Sequence, residues 1–344
     1  MDSVRIRTEF HEIGSNFPPY IIAEIGLNHN GNLDLAFQMV DAAAACGVQA
    51  AKFQLFDSDH FIEKEAALGD GGPGSLREFF RQFELSRSGW KELAAHCRKR
   101  KVDFLCSVFD RPSLDFYATL SPFAIKIASC DINNKILIED ALQLDLPLLI
   151  STGTASESEV EQTVRWTAGH AAALFQCVSS YPASPSDYNI RAISAWISKY
   201  NLPVGISDHC PSNAVSLGAV ALGACMIEKH FTLDRKMDGP DHSISSNPEE
   251  FAALVKESRE VFESLGDGIK KACASEEAPR LYGRRSLYAA LPVASSAVLE
   301  RRDMEPMRPG GGIAPDMYEG LVGKKTRRSI DAGEKLSGEM FFLK

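Results

Sequence analysis

The chain has 344 residues, 44% hydrophobic and 24% charged, the balance of an ordinary globular enzyme with room for one large and one small domain. Its formal net charge of -9 speaks against nucleic acid or an anionic membrane as a partner. No apolar run is long enough to span a bilayer, the opening MDSVRIRTEF has no apolar targeting region, and no two of the eight cysteines are spaced as CxxC, so a cytoplasmic protein with reduced thiols is expected.

In chain order, short apolar runs recur: YIIAEIG from Tyr20, AAKFQLF from Ala50, DFLCSVF from Asp103, AIKIAS from Ala124, LPLLIST from Leu146, LFQCVSS from Leu174, LPVGIS from Leu202 and CMIEKHF from Cys225. They are nearly continuous in hydrophobicity rather than alternating, as parallel strands covered on both faces should be. Helical patterns separate them. NLDLAFQMVDAAAACG places Leu35, Met39, Val40, Ala43 and Ala44 on one face, with Gly47 as the C-terminal stop. SGWKELAAHCRKRK, ILIEDALQLD, SESEVEQTVRW, IRAISAWISKY and SNAVSLGAVALG precede later strands. Eight β-then-α units predict a (β/α)8 barrel. A doubly wound open sheet is the rival, and no GxGxxG turn supports a dinucleotide-binding form of it.

The segment from Asp59 to Arg81, with GDGGPG at Gly69–Gly74, reads as a long loop after the second strand. A helix from Pro248 to about Leu265 should close the barrel domain, taken as residues 1–272. ACASEEAPRLYGRR lacks periodicity and reads as a linker, 273–285. Residues 286–344 then form a small domain of short strands and turns, with little core of its own and a need to dock on something.

In a barrel the chemistry belongs at the carboxyl ends of the strands. Those ends carry Glu24; Lys52 and Gln54; Ser107; Lys126 and Ser129; Ser151; Ser179, with Tyr181 just after; Ser207 and His209; and Glu228 and His230. A barrel interior is normally filled by branched apolar residues, so this rim points to a ligand. Lysines and hydroxyls suit a phosphorylated anionic substrate. His209 and His230, from neighbouring strands, can converge on one exchangeable divalent ion such as Mn²⁺, with Glu228 as water holder or acid/base. Taken singly, each has a plainer reading. A strand-end His is commonly a hydrogen-bonded polar residue, a buried Lys an ion-pair partner, and a Ser the start of a turn or a helix cap. His29, in NHNG, equally reads as a turn residue, and Asp241 as a loop cap. Cys106 and Cys177 are assigned to packing.

AEIGLNHNG, AKFQLF, IKIAS, STG, SSYP, GISDH and EKHFTLD followed by GPDH resemble the N-acetylneuraminate (sialic acid) synthase family. RRSLYAALPV and MRPGGGIAPDMYEGLVGKK resemble its C-terminal SAF (antifreeze-like) domain. The resemblance implies a phosphoenolpyruvate-dependent condensation with the open-chain aldehyde of an N-acylated mannosamine-type sugar, giving a nine-carbon 2-keto acid and phosphate. It implies that Lys52, Ser107, Lys126, Ser129, Ser151, Ser179 and Ser207 hold phosphoenolpyruvate. His209 and His230 bind Mn²⁺, or Mg²⁺ or Co²⁺ in its place. Glu228 orients or deprotonates a water. Glu24, Gln54, Tyr181 and Asp241 contact the sugar, with Glu24 and Asp241 as further proton-transfer groups. It also implies a homodimer in which each SAF domain covers the other copy's barrel and brings Arg308 to the N-acyl group. CSVFD stands where the family commonly has STPFD, and STGTAS where STGMA is frequent, so the expected acceptor is N-acetylmannosamine or a legionaminic- or pseudaminic-type relative. A synthase of seven- or eight-carbon sugar acids is disfavoured, because AEIGLNHNG lacks the early-strand Cys metal ligand those enzymes often use. A non-catalytic sugar-binding barrel is the remaining alternative.

Overall fold

A computed structural model describes residues 5–68 and 74–342 and divides the chain into two compact units, Met1–Gly266 and Asp267–Lys344. The first opens with an antiparallel hairpin, β1 (Ile6–Arg7) and β2 (Glu12–Ile13). Eight parallel strands follow: β3 (Tyr20–Gly26), β4 (Ala50–Leu55), β5 (Asp103–Val108), β6 (Ile125–Ile127), β7 (Leu148–Ser151), β8 (Ala172–Cys177), β9 (Val204–Asp208) and β10 (Met226–His230). They close in sequence order, β10 pairing with β3, so the (β/α)8 barrel expected from the apolar runs is the fold.

The helices are α1 (Leu33–Ala45), α2 (Ser58–Phe61), α3 (Leu76–Arg81), α4 (Arg87–Arg100), α5 (Arg111–Ala118), α6 (Lys135–Leu142), α7 (Glu157–Trp166), α8 (Arg191–Tyr200), α9 (Ala214–Ala221) and α10 (Pro248–Ser264). On α1 the buried stripe is Ala36, Met39, Val40 and Ala43, while Leu35 and Ala44 sit at its half-buried margins. Gly47 follows the helix at φ +84°, the left-handed conformation that ends a helix most cheaply in glycine.

One expectation needs correction. The stretch from Asp59 to Arg81 is not one loop: it carries α2 and α3. Asp57 caps the first, and a reciprocal Ser75–Glu78 capping box starts the second. The GDGGPG turn lies, apart from Gly74, outside the described residues. Helix α5 follows β5, its start set by Asp110, which accepts from Ser113 N, and by Pro112 in the first turn. The 273–285 segment carries α11 (Glu277–Gly283).

The core is layered. One large cluster fills the space between strands and helices, including Met39, Phe53, Trp90, Leu114, Ile138, Ile193, Val220 and Phe251. A smaller cluster occupies the amino-terminal pole of the barrel, where Ile6 and Ile13 of the hairpin meet Tyr20, Ile22, Leu105, Leu149, Phe175 and Met226. Tyr20 Oη donates to Asp103 Oδ2 at 2.7 Å inside that plug.

In the second unit, β11 (Ser286–Ala289) pairs antiparallel with β12 (Met304–Met307), and Leu287, Leu299, Met304, Ile330, Leu336 and Phe341 form a separate small core. Arg308 follows β12 directly and is exposed. Among the described residues, no helix is long and apolar enough to cross a membrane, and all eight cysteines are free.

Candidate active site

Residues paired across adjacent parallel strands face the same side of a sheet. The register therefore decides which strand-end groups meet. His230 pairs with Glu24, Glu24 with Lys52, Gln54 with Ser107, Ser107 with Lys126, and Glu228 with Ser207. All of them turn into one cavity of about 380 Å³ at the carboxyl-terminal mouth. Ser129, Ser151, Ser179, Tyr181 and His209 line the same cavity. Every sequence-proposed group of the first unit is thus brought to one place, with Asp241 at its edge. Gly26 allows that approach. It sits at φ +55° beside a register shift in β3, and a Cβ there would lie 3.1 Å from Glu24 Oε1, 3.3 Å from Gln54 Nε2 and 3.6 Å from Asp241 Oδ2.

Alternation along the strand answers what Lys229 does between Glu228 and His230. Its side chain leaves the barrel on the other face. There it is buried with Asp208 Oδ2 at 3.1 Å and the Cys210 carbonyl at 2.5 Å, while Ser216 Oγ donates to the same carboxylate at 2.5 Å. This is a satisfied structural ion pair between β10, β9 and α9.

Inside the cavity four charged side chains are buried together. Lys52 Nζ lies 2.7 Å from Glu24 Oε2, 3.6 Å from Glu228 Oε1 and 3.1 Å from Ser107 Oγ. The Lys52–Glu24 contact is an ion pair rather than an aligned hydrogen bond. Lys126 Nζ donates to Ser151 Oγ and, at 3.1 Å, to the Ile127 carbonyl, and stands over the Phe175 ring at 5.3 Å. Glu228 accepts from Ser207 Oγ at 3.1 Å. Burial raises Glu24 to about 7, opposed by Lys52 and reinforced by Glu228. Burial also disfavours the Glu228 anion, but Lys126, Lys52 and Ser207 outweigh it and hold that carboxyl below its ordinary value. The two carboxyls thus divide into one that gains and loses its proton near neutrality and one that stays an anion, an arrangement suited to acid/base work. Burial, with Lys52 adding, depresses Lys126.

The imidazoles of His209 and His230 lie 5.4 Å apart, and Tyr181 stacks 4.2 Å from His209. His209 Nδ1 is 2.7 Å from the Val178 carbonyl, which only accepts. Nδ1 therefore carries the proton and Nε2 presents its lone pair. Burial lowers His209 to about 4 and lowers His230 as well, so both are neutral near pH 7. His230 Nδ1 and Glu228 Oε2 are buried with no hydrogen-bond partner among the described residues. Two neutral imidazoles with available nitrogens fit a divalent first-row ion. No cluster of three or more His, Cys, Asp or Glu side chains able to hold a metal occurs among the described residues, so water or substrate would complete the shell.

Two packing assignments divide here. Cys106 is buried in the strand–helix core, as expected. Cys177 instead borders the cavity, its sulfur 3.5 Å from Ser129 Oγ, because β8 ends there and turns its last side chain inward. His29 is a buried residue outside the cavity, accepting from Gly31 N at 3.1 Å between Phe53 and Trp90. Residues missed from sequence are Phe61, Phe80 and Phe109, which also line the mouth. The phenylalanine density of the segment from Phe56 to Phe83 is the signal that was there to find.

The pattern of the NeuB family matches residues 39–270 of this chain. The chain belongs to the NeuB family. It is 36% identical to the N,N'-diacetyllegionaminic acid synthase of Legionella pneumophila, over 95% of each chain. It is 31% identical to human N-acetylneuraminate-9-phosphate synthase, over 95% of this chain and 94% of that one. A crystal structure of N-acetylneuraminic acid (sialic acid) synthetase from Leptospira borgpetersenii superposes with a TM-score of 0.73 at 38% identity, covering 80% of this chain and 95% of that one. As a NeuB-family synthase, the chain is an enzyme that forms carbon–carbon bonds.

Proposed function

We propose that this NeuB-family enzyme condenses phosphoenolpyruvate with the open-chain aldehyde of an N-acylated mannosamine-type sugar, N-acetylmannosamine or a close relative. The products are a nine-carbon 2-keto acid and phosphate. The observation that carries this reading is the buried set of Lys52, Lys126, Glu24 and Glu228 in a hydroxyl-rich barrel mouth, with Glu228 Oε2 and His230 Nδ1 unpartnered among the described residues. Buried polar atoms left without partners are costly, and a bound ligand would complete their bonding.

The reaction forms a bond between C3 of phosphoenolpyruvate and the aldehyde carbon, and the sugar oxygen takes up a proton. Water adds at C2, and the bond from C2 to the phosphate oxygen breaks, leaving the ketone. One of the water's protons balances the new sugar hydroxyl, and the other leaves with phosphate. Lys52 and Lys126 neutralise the phosphate and carboxylate, and Ser107, Ser129, Ser151, Ser179 and Ser207 donate hydroxyl hydrogens. Glu228, the ionised carboxyl, orients the water and accepts its proton. Glu24, which gains and loses its proton near neutrality, supplies a proton at the sugar oxygen, with Asp241 as the second candidate. Gln54 and Tyr181 fix the sugar. His209 and His230 would hold the divalent ion, Mn²⁺ or else Mg²⁺ or Co²⁺, which when bound supplies a Lewis acid for the aldehyde oxygen.

A diacetamido-trideoxyhexose, leading to a legionaminic or pseudaminic acid, is the alternative acceptor, supported by the likeness to the Legionella enzyme. We further propose that the second unit is a SAF domain that covers the barrel of a second copy in a homodimer and brings Arg308 to the acyl group. The short-stranded unit with its own small core and the RPGGGI sequence support this. A cytoplasmic location suits the eight free thiols.

The test is phosphate release from phosphoenolpyruvate with Mn²⁺ and a panel of acylated hexosamines, with the keto acid identified by mass spectrometry. Release and a product heavier than the sugar by the pyruvate unit are expected. A folded protein that releases phosphate with none of them refutes the reading.

A further inference from the structure

The mouth of the barrel has an apolar side that the polar chemistry leaves unused. Phe61 ends α2, Phe80 lies in α3, and Phe109 follows β5, and all three half-buried rings line the cavity. Phe61 and Phe109 have ring centroids 4.8 Å apart, and Phe61 and Phe80 5.3 Å apart. Behind them is Phe56, 5.6 Å from Phe61 and 5.4 Å from Phe80. The rings are held in place by polar contacts on their outer side. Arg77 donates to the Ile62 carbonyl at 2.6 and 2.9 Å and to Asp59 at 3.2 Å, and Arg81 also pairs with Asp59. Asp110, which caps α5, accepts from Asp57 N at 2.8 Å, tying the loop after β4 to the loop after β5.

Strand order fixes what the wall faces. In the closed barrel, β4 and β5 stand across the lumen from β8 and β9, which lead to Tyr181 and His209. One side of the mouth therefore offers imidazole and phenol, and the other offers three ring faces.

We propose that Phe61, Phe80 and Phe109 determine acceptor specificity: they receive the end of the sugar remote from its aldehyde and select a methyl-terminated, acylamino-bearing chain over one ending in hydroxymethyl. The proposal rests on the condensation reading above and names its substrate class, an N-acylated amino-deoxy sugar with a second acylamino group. With the aldehyde held on the histidine side and phosphoenolpyruvate on the lysine floor, the remote carbons cross to the phenylalanines. A hydroxyl pressed against three rings gives up water and finds no partner there. A methyl in the same place gains apolar burial. Apolar pockets discriminate only modestly against an added hydroxyl, so the expected preference is about tenfold to a hundredfold.

The experiment compares kcat/KM for a diacetamido-trideoxyhexose of manno configuration and for N-acetylmannosamine, in the full-length protein and in Phe80→Ser and Phe80→Tyr. Wild type should favour the trideoxy sugar. Both variants should shrink that preference by about tenfold while the KM for phosphoenolpyruvate stays put. Phe80→Tyr keeps the ring and adds one hydroxyl, so it reads out even if Phe80→Ser folds poorly. Equal use of the two sugars by wild type, a preference for N-acetylmannosamine, or a ratio unmoved by Phe80→Tyr overturns the proposal. Should neither sugar be turned over, the condensation reading fails, and saturation-transfer NMR of the two free sugars decides the wall by itself. Tighter binding of the trideoxy sugar, weakened in Phe80→Tyr, upholds it. Indistinguishable binding overturns it.

Discussion

Gly153 offers a sharp test of the phosphate cradle. Its backbone lies outside the left-handed region, so alanine is conformationally allowed there, yet a Cβ would come 2.2 Å from Ser179 Oγ and 2.7 Å from Ser129 Oγ. Gly153 N also donates to Ser129 Oγ at 3.0 Å, which fixes that hydroxyl in the cradle. Gly153→Ala must therefore push both serines off their present rotamers without disturbing the strands. If both hydroxyls bond a phosphate anion, each is worth roughly 1.5–3 kcal/mol. Losing their alignment should then cost about 3 kcal/mol, or ~100-fold in affinity for phosphoenolpyruvate. Calorimetric titration with phosphoenolpyruvate measures this directly, with circular dichroism and the melting temperature as controls. Initial rates at varied phosphoenolpyruvate should show the same loss in kcat/KM. A variant that melts like wild type and binds phosphoenolpyruvate within twofold of it would refute the placing of Ser129 and Ser179 on the phosphate.

Two of the buried lysines, Lys126 on the inner face and Lys229 on the outer, should behave in opposite ways. Lys229→Met strands Asp208 without its cation and should lower unfolding free energy by roughly 3–5 kcal/mol in urea titrations. Lys126 has no carboxylate within ion-pair distance among the described residues, so Lys126→Met should leave stability unchanged or raised while abolishing phosphoenolpyruvate binding. Chelation should remove activity and added Mn²⁺ restore it, and His209→Ala or His230→Ala should lose that rescue; full activity in chelator would exclude the metal. His29 is held by burial at about 4, below its ordinary 6.5. The unfolded chain therefore binds the extra proton across that window, and stability present above pH 6.5 is lost as pH falls toward 4, by about 3 kcal/mol. His29→Asn should flatten that acid limb, and an unchanged pH dependence of urea unfolding would count against the assignment.

Much of this was legible in the residues because a barrel obeys two simple periodicities. Strands covered on both faces appear as unbroken apolar runs, which is why IIAEI and LLIS stand out. The first polar residues at their carboxyl ends then fall on one rim, so the sequence alone groups Lys52, Lys126 and Glu228. Spacing could not tell inward from outward where both residues are polar. Lys229 and His230 are neighbours in sequence and on opposite faces in space, and only the register with β9 and β3 separates them. The phenylalanine wall was hidden because its members come from two loops distant in sequence, joined where Asp110 accepts from the backbone of Asp57.

The division of the barrel's lumen has an evolutionary corollary. Folding energy is concentrated in the sleeve between strands and helices and in the stopper that Ile6 and Ile13 form at one pole. The opposite pole carries the chemistry and, beside it, a smaller cluster of phenylalanines. Descendants of such a chain can trade side chains around that open end, and so change what they build, without reopening the question of whether they fold.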